Sequence, residues 1–328
     1  MGKPDAVTKE YVSRSDIFAD VFNYYLYGGR QVIDPSHLKE RDITEIALPF
    51  GNNSGGTVQK YRDVLKILQV MEDENAVYVL LGTELQMNIH YAMPVKNMLY
   101  DAVNYAEQIS AAVRDHRKKK GKDITSDEYL SGFSRRDKLL PVITLTVYFG
   151  SKKWDGPKRL HEMFGRVDQS LLNFIPDYKI NLITPAGLSE EDLEKFHTEF
   201  RMVMKFIKYS SDKDTLMKML DSDEGFKTVS RDTANLINVV TNAGIEINGN
   251  KEVIDMCKAI KDIKEEGREE GREEGREIGR EEGREEGRKE TELLSIRNLM
   301  DTLKLTAQQA MDALKISPAD QQRYLSML

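Results

Sequence analysis

The chain of 328 residues has one cysteine, Cys257, which excludes a disulfide framework and any zinc site built on several thiolates. It has no apolar run near the ~18 residues a membrane helix needs, and no charged-then-apolar leader opens it. The expectation is a protein of the reducing cytoplasm with no membrane partner. Charge of one sign is also lacking where it would count. A formal net charge of −7, spread evenly, would disfavour a nucleic-acid partner. It is not spread evenly. Residues 1–160 carry 23 Lys+Arg against 21 Asp+Glu, and the remainder 25 against 34. Within Arg114–Arg159, 13 basic residues face 6 acidic ones. A basic stretch on an acidic chain is a footprint for a phosphate backbone. A solvated helix end and loop would read the same way.

Residues 16–28 have apolar positions at helical spacing, with Gly28-Gly29 as the stop. Asn75–Leu81 contains an unbroken aliphatic run suited to a strand buried on both faces, and the strand continues to Gln86. From Pro94 a helix is expected to about Arg117, its apolar face formed by Val95, Met98, Leu99, Ala102, Val103, Ala106 and Ile109. Arg114–Arg136 reads as a loop, Leu139–Tyr148 as a second strand, and Asn181–Ile183 as a short last one. Trp154-Asp155-Gly156-Pro157 is a turn with an aromatic anchor. The pattern from Ser189 to about Ile263 is helical.

Composition then changes abruptly. Glu265–Arg288 is six tandem tetrads, Glu-Glu-Gly-Arg in five and Glu277-Ile278-Gly279-Arg280 in the fourth. A glycine in each tetrad costs a helix roughly 1 kcal/mol relative to alanine. The Glu-to-Arg spacing of three helps, but most spacings of four join like charges. A lone helix here is expected to be marginal. The tract is either a solvated spacer or, because glycines let helices approach closely, a stalk for a homo-oligomer, a dimer through the C-terminal helices. The organisation expected is a core over 1–185, a helical segment over 186–264, a repeat linker over 265–292 and a small helical tail over 293–328.

Residues i and i+2 of a strand share a face, so Glu84 and Gln86 project together at the end of the 75–86 strand. Asp63 lies 21 residues before Glu84. Two carboxylates on rigid elements suit Mg²⁺, which takes few protein ligands and completes its shell with water and phosphate oxygens. That spacing alone is common. The ordered blocks around it are not: Tyr61-Arg62-Asp63-Val64, Gly82-Thr83-Glu84-Leu85-Gln86, Tyr91-Ala92-Met93-Pro94-Val95, Tyr100-Asp101-Ala102, Tyr105-Ala106-Glu107-Gln108, Pro141-Val142-Ile143-Thr144-Leu145, Tyr148-Phe149-Gly150 and Trp154-Asp155-Gly156-Pro157. Over roughly residues 16–185 the chain resembles the Rpn family of recombination-promoting nucleases, also labelled PD-(D/E)XK family transposases. Its Glu-Gly-Arg tract and short helical tail also resemble that family's C-terminal end.

The resemblance implies an α/β fold, a restriction-endonuclease-like mixed sheet flanked by helices and followed by a helical C-terminal extension. It implies a metal-dependent DNA endonuclease, with Mg²⁺ or another divalent cation as cofactor and DNA as partner. Asp63, Glu84 and Gln86 take the catalytic positions, and Asp63 and Glu84 hold the metal. Asp20, on the first predicted helix, is a further candidate ligand or else a solvated helix residue. Gln86 stands where the wider class has lysine, and a neutral amide orients by hydrogen bonds without supplying charge. Candidate DNA-binding residues are Arg62, Tyr105, Gln108, Lys118 and Lys119. Tyr105 and Gln108 have a competing reading, a core tyrosine beside a buried amide. His90 beside a helix start reads as structural. Alternatives to an endonuclease are a weak or inactive DNA-binding protein on the same core, and an oligomeric scaffold built on the repeat.

Overall fold

A computed structural model describes residues 3–40, 44–47, 58–61, 64–72, 75–119, 125–247 and 252–328. The chain divides into two compact units, Met1–Ile260 and Lys261–Leu328.

The first unit opens with α1 (Lys3–Ser13) and α2 (Ser15–Tyr27). The α2 face Ile17, Phe18, Val21 and Phe22 is buried, and the helix stops where the sequence places its stop. Gly28 sits at φ +63°, a conformation that glycine adopts without steric cost, and its N–H bonds back to the Tyr24 carbonyl at 3.0 Å. There follow β1 (Leu38–Glu40), β2 (Thr44–Ala47), β3 (Val58–Tyr61), β4 (Val64–Glu72) and β5 (Asn75–Gln86). Next come α3 (Met93–Lys119), α4 (Ser126–Ser131), β6 (Val142–Tyr148), α5 (Gln169–Leu172) and β7 (Asn181–Ile183). Five strands form one mixed sheet in the order β1-β4-β5-β6-β7, with β2 and β3 paired apart from it. The pairs β1–β4 and β4–β5 are antiparallel; β5–β6 and β6–β7 are parallel. Parallel neighbours need a long crossover, and α3 lies in the one between β5 and β6. This is the mixed α/β fold that the sequence implies.

One face of the sheet carries Val64, Lys66 and Leu81 against α2. The Lys66 ammonium is buried there, donates to Ser15 Oγ at 3.0 Å and lies 5.5 Å from the Phe18 ring. Burial lowers its pKa from the ordinary lysine value. The other face carries Glu84 and the threonines of β6 against α3.

Here the periodicity misleads. Val95, Met98, Leu99 and Ala102 of the expected apolar face are exposed, and of the expected set Val103 is buried. The buried stripe is Met93, Asn97, Tyr100 and Asn104, at helical spacing. The reason lies in the sheet. β6 presents Thr144 and Thr146, so α3 matches polar groups to polar groups. Asn97 Nδ2 donates to Thr146 Oγ1 at 2.9 Å, and Thr144 Oγ1 donates to Asp101 Oδ1 at 2.5 Å.

The remainder of the first unit is α6 (Glu190–Leu193), α7 (Phe200–Tyr209), α8 (Lys213–Ser222), β8 (Val229–Ser230), α9 (Arg231–Thr241) and β9 (Val253–Ile254). These helices are tied to α1 and α2: Tyr11 OH lies 2.9 Å from Thr233 Oγ1, both buried. The boundary expected at 185/186 therefore falls inside the first unit. Part of the basic stretch expected to be loop is ordered as α4, whose Thr125–Glu128 capping box closes its first turn.

α10 (Met256–Leu303) is continuous through the whole repeat tract. It begins on buried Met256 and Cys257, and Ile296 near its end is buried too. Helix nucleation is the costly step, and packed ends relieve it despite the glycines. Glu265 and Arg268 make the i, i+3 pair at 2.6 Å. A Cβ added at any tetrad glycine meets nothing within 4 Å. In the second unit α11 (Ala307–Ala313) and α12 (Pro318–Leu325) close on α10, with Ile296, Ala310, Met311 and Tyr324 as the core.

Candidate active site at the end of the fifth strand

The last three residues of β5 project alternately, so Glu84 and Gln86 share the α3 side of the sheet. Their parallel partners on β6 are Thr146 and Tyr148, and Phe149 N–H donates to the Gln86 carbonyl at 2.8 Å. This holds the strand end in register. Tyr148 packs with Met93, Trp154 and Ile180, its ring 5.4 Å from that of Trp154. The expected aromatic anchor is present, and through Met93 it pins the first turn of α3 beside the strand end. Gly150 leaves room for that packing: a Cβ there would lie 2.1 Å from Tyr148 OH.

The fourth residue of α3 is Lys96. Its Nζ lies 2.7 Å from Glu84 Oε2. Glu84 is 1% exposed and the Lys96 side chain 29%. A carboxylate this deep in a sheet requires a counter-charge, because an unpaired buried ion is costly. The Lys96 ammonium also lies 5.8 Å from the centre of the Tyr100 ring, one helical turn on. Beside the pair opens a cavity of about 330 Å³, lined among others by Asp5, Thr8, Gln86, Asn88, His90 and Lys96. One buried polar atom of its lining, His90 Nδ1, has no hydrogen-bond partner among the described residues. Buried polar atoms are normally satisfied, so orphaned ones beside a cavity mark places for water or a ligand.

The structure brings Glu84 and Gln86 together, as their spacing requires. Asp63 and Arg62 lie outside the described residues. The chain neighbour of Asp63, Val64, pairs with Thr83, the chain neighbour of Glu84.

Asp20 is not at this cavity. Its carboxylate accepts the backbone N–H of His197 at 2.9 and 3.0 Å, the N–H of Thr198 at 2.9 Å and the Thr198 hydroxyl at 2.6 Å. It fastens the 197–198 turn to α2, so the structure places this candidate metal ligand as an acceptor away from the cavity. The first-helix carboxylate that does line the cavity is Asp5, on α1.

Tyr105 and Gln108, candidates for DNA contact, meet the start of β6. Tyr105 OH accepts the Val142 N–H at 3.1 Å. Gln108 clamps Leu140 from both sides, receiving its N–H at 2.7 Å and donating to its carbonyl at 3.2 Å. Both side chains set the entry of β6, because a strand beginning beside a helix leaves backbone groups that need partners. Lys118 is exposed in the last turn of α3, and Lys119 follows it as the final helical residue.

Three cavity residues escaped the sequence reading of the site. Lys96 stands ten positions after Gln86 and Asp5 near the start of the chain, and neither spacing signals a strand-end site. His90 was read as structural, yet its ring lines the cavity. Among the described residues no group of three His, Cys, Asp or Glu is placed to hold a metal ion.

Residues 57–236 match the family model described as "Putative transposase, YhgA-like" (Transposase_31). The chain belongs to this transposase family. The match covers more than half of the chain, bearing out the resemblance seen in the ordered blocks. It runs from the edge of β3 into α9, so the YhgA-like region takes in the helices after residue 185 as well as the sheet. No curated protein and no solved structure matches the chain. Membership brings a nuclease- or transposition-related role and an interaction with DNA. None of the described helices is long and apolar enough to cross a membrane.

Proposed function

We propose that the chain is a divalent-metal-dependent DNA endonuclease that hydrolyses phosphodiester bonds at the cavity beside Gln86 and Lys96. The observation that carries this reading is a cavity lined by Gln86 and Lys96, with Lys96 paired to the buried Glu84 carboxylate behind it, inside a transposase-family sheet. The donor set fits a small divalent cation. Mg²⁺ needs only one or two carboxylates, with water and phosphate oxygens for the rest, and Glu84 supplies one behind Lys96. Glu84 and Asp63 would hold it. When bound, such a cation acidifies the attacking water and offsets charge on the phosphate.

The residues of the chain do the rest. Gln86 orients by hydrogen bonding at the cavity wall. Water oxygen attacks phosphorus and gives up a proton to solvent, the phosphorus–oxygen bond to the leaving strand breaks, and the leaving oxygen takes a proton back from solvent, so the proton count closes. Lys118, with exposed Arg114 and Arg117, forms a cationic end of α3. At 1.5 Å per residue Lys118 lies about 33 Å along the helix from Lys96, close to one turn of duplex DNA. A duplex following α3 would meet the basic end one turn from the cut.

Plasmid DNA incubated with Mg²⁺ or Mn²⁺ tests the reading. The wild type is expected to cut, and chelation or Glu84→Ala to stop cutting. DNA retention without cutting in any divalent cation would leave only a binding protein on this core. Self-association through the C-terminal helices is the remaining part of the proposal, supported by the open space around the tetrad glycines. Deleting residues 265–328 is expected to lower the mass in solution to one chain; an unchanged oligomer would refute it.

A further inference from the structure

The cavity and the buried carboxylate are linked by one side chain. Lys96 lines the cavity, yet its Nζ reaches 2.7 Å from Glu84 Oε2, and Glu84 is 1% exposed. The site that must accept a divalent cation already holds a monovalent one. We infer that Lys96 is an exchangeable counter-ion: a divalent cation and the Lys96 ammonium compete for the Glu84 carboxylate. The displaced ammonium then turns into the cavity and supplies the positive charge towards the DNA phosphate that neutral Gln86 lacks. The second half rests on the nuclease reading; the first does not.

Three features carry it. The first is charge. The Glu84 carboxylate holds the Lys96 ammonium at 2.7 Å, and a doubly charged ion arriving at the same oxygens repels that ammonium at short range. The second is mobility confined to one side chain. Met93 fixes the first turn of α3 in the Tyr148–Trp154 cluster, so the backbone at Lys96 stays in place. Lysine itself has a flexible four-carbon stem and a compact head, and the Lys96 side chain is 29% exposed. The third is a destination. The cavity wall holds the Gln86 amide, whose carbonyl oxygen offers an acceptor to a displaced ammonium before DNA arrives. Glu84 in the chain without metal is thus paired with Lys96.

The test uses the full chain and Mn²⁺ as the probe, first without DNA. Lys96→Met removes the competitor, so calorimetric titration is expected to show Mn²⁺ binding about tenfold tighter. Cleavage of plasmid DNA by the same variant is expected to fall about 100-fold. Tighter metal with slower cutting is a combination that a structural lysine does not produce. Lys96→Arg keeps the charge and is expected to hold Mn²⁺ affinity near wild type while restoring part of the cutting. Should Lys96→Met fail to fold, the wild type still decides. Acetylation of the Lys96 amine, read by mass spectrometry, is expected to rise severalfold when Mg²⁺ is added. Mn²⁺ affinity unchanged or weaker in a folded Lys96→Met, or acetylation indifferent to Mg²⁺, overturns the exchange. Unchanged cutting by Lys96→Met overturns its role towards the phosphate. If the wild type cuts in no metal, the nuclease reading falls, and the Mn²⁺ and acetylation results alone decide the exchange.

Discussion

Two carboxylates in this molecule are each 1% exposed, and they are held in opposite ways. Asp20 is gripped by two backbone N–H groups and a hydroxyl of the 197–198 turn. Glu84 is held by the ammonium of Lys96 at the edge of a cavity. Backbone donors cannot leave without unfolding the turn that carries them. A lysine head at the end of four methylenes can. The first carboxylate is tied to backbone, and the second to a side chain that can move. Burial alone does not separate a structural acid from a functional one; the nature of its partner does.

Substitution at the two sites should break the comparison most visibly. Asp20→Asn removes an acceptor from a charge-assisted network and is expected to destabilise the first unit by about 3 kcal/mol in denaturant unfolding. Glu84→Gln leaves an ammonium on a side chain that is 29% exposed, so its loss is expected to be smaller than that of Asp20→Asn and below the roughly 3–5 kcal/mol of a fully buried broken pair. Equal losses at the two positions would erase the distinction. A third carboxylate sharpens it at the surface. Glu128 accepts from the Thr125 and Arg135 N–H groups and from the Ser134 hydroxyl, and these bonds pull its pKa down to about 2. Its folded-state pKa lies below the ordinary value of 4.5, so its contribution is complete above that value and is lost as pH falls through about 2. The Arg135 amide chemical shift, followed by NMR against pH, should hold down to about 4.5 and move as pH approaches about 2. Glu128→Gln is expected to abolish that titration. No loss of cutting at neutral pH is expected from it.

Much of the fold is legible in the residues themselves. The aliphatic run before Glu84, the Gly28-Gly29 stop and the short Asn181–Ile183 strand all appear where local pattern puts them. The shared face of Glu84 and Gln86 follows from the period of a strand. The face of α3 does not follow from the period of a helix, because hydrophobic spacing presumes an apolar neighbour. Here the neighbour is Thr144, Thr146 and Glu84, so Asn97, Asp101 and Lys96 turn inward. The same limit hid the roles of Tyr105, Gln108 and Asp20. Each is polar on a helix, and whether it meets DNA, metal or a strand backbone depends on residues far away in sequence. Lys96 was hidden for the complementary reason: its partner lies on the preceding strand, and the pairing exists only once α3 crosses the sheet.

A crystal soaked in Mn²⁺ and measured at the manganese absorption edge tests the central claim most directly. The account predicts an anomalous peak at the Glu84 carboxylate, with Lys96 Nζ withdrawn from Oε2 into the cavity and Asp20 still bound to His197 and Thr198. A crystal with no peak at Glu84 and Lys96 still paired to it would contradict the account.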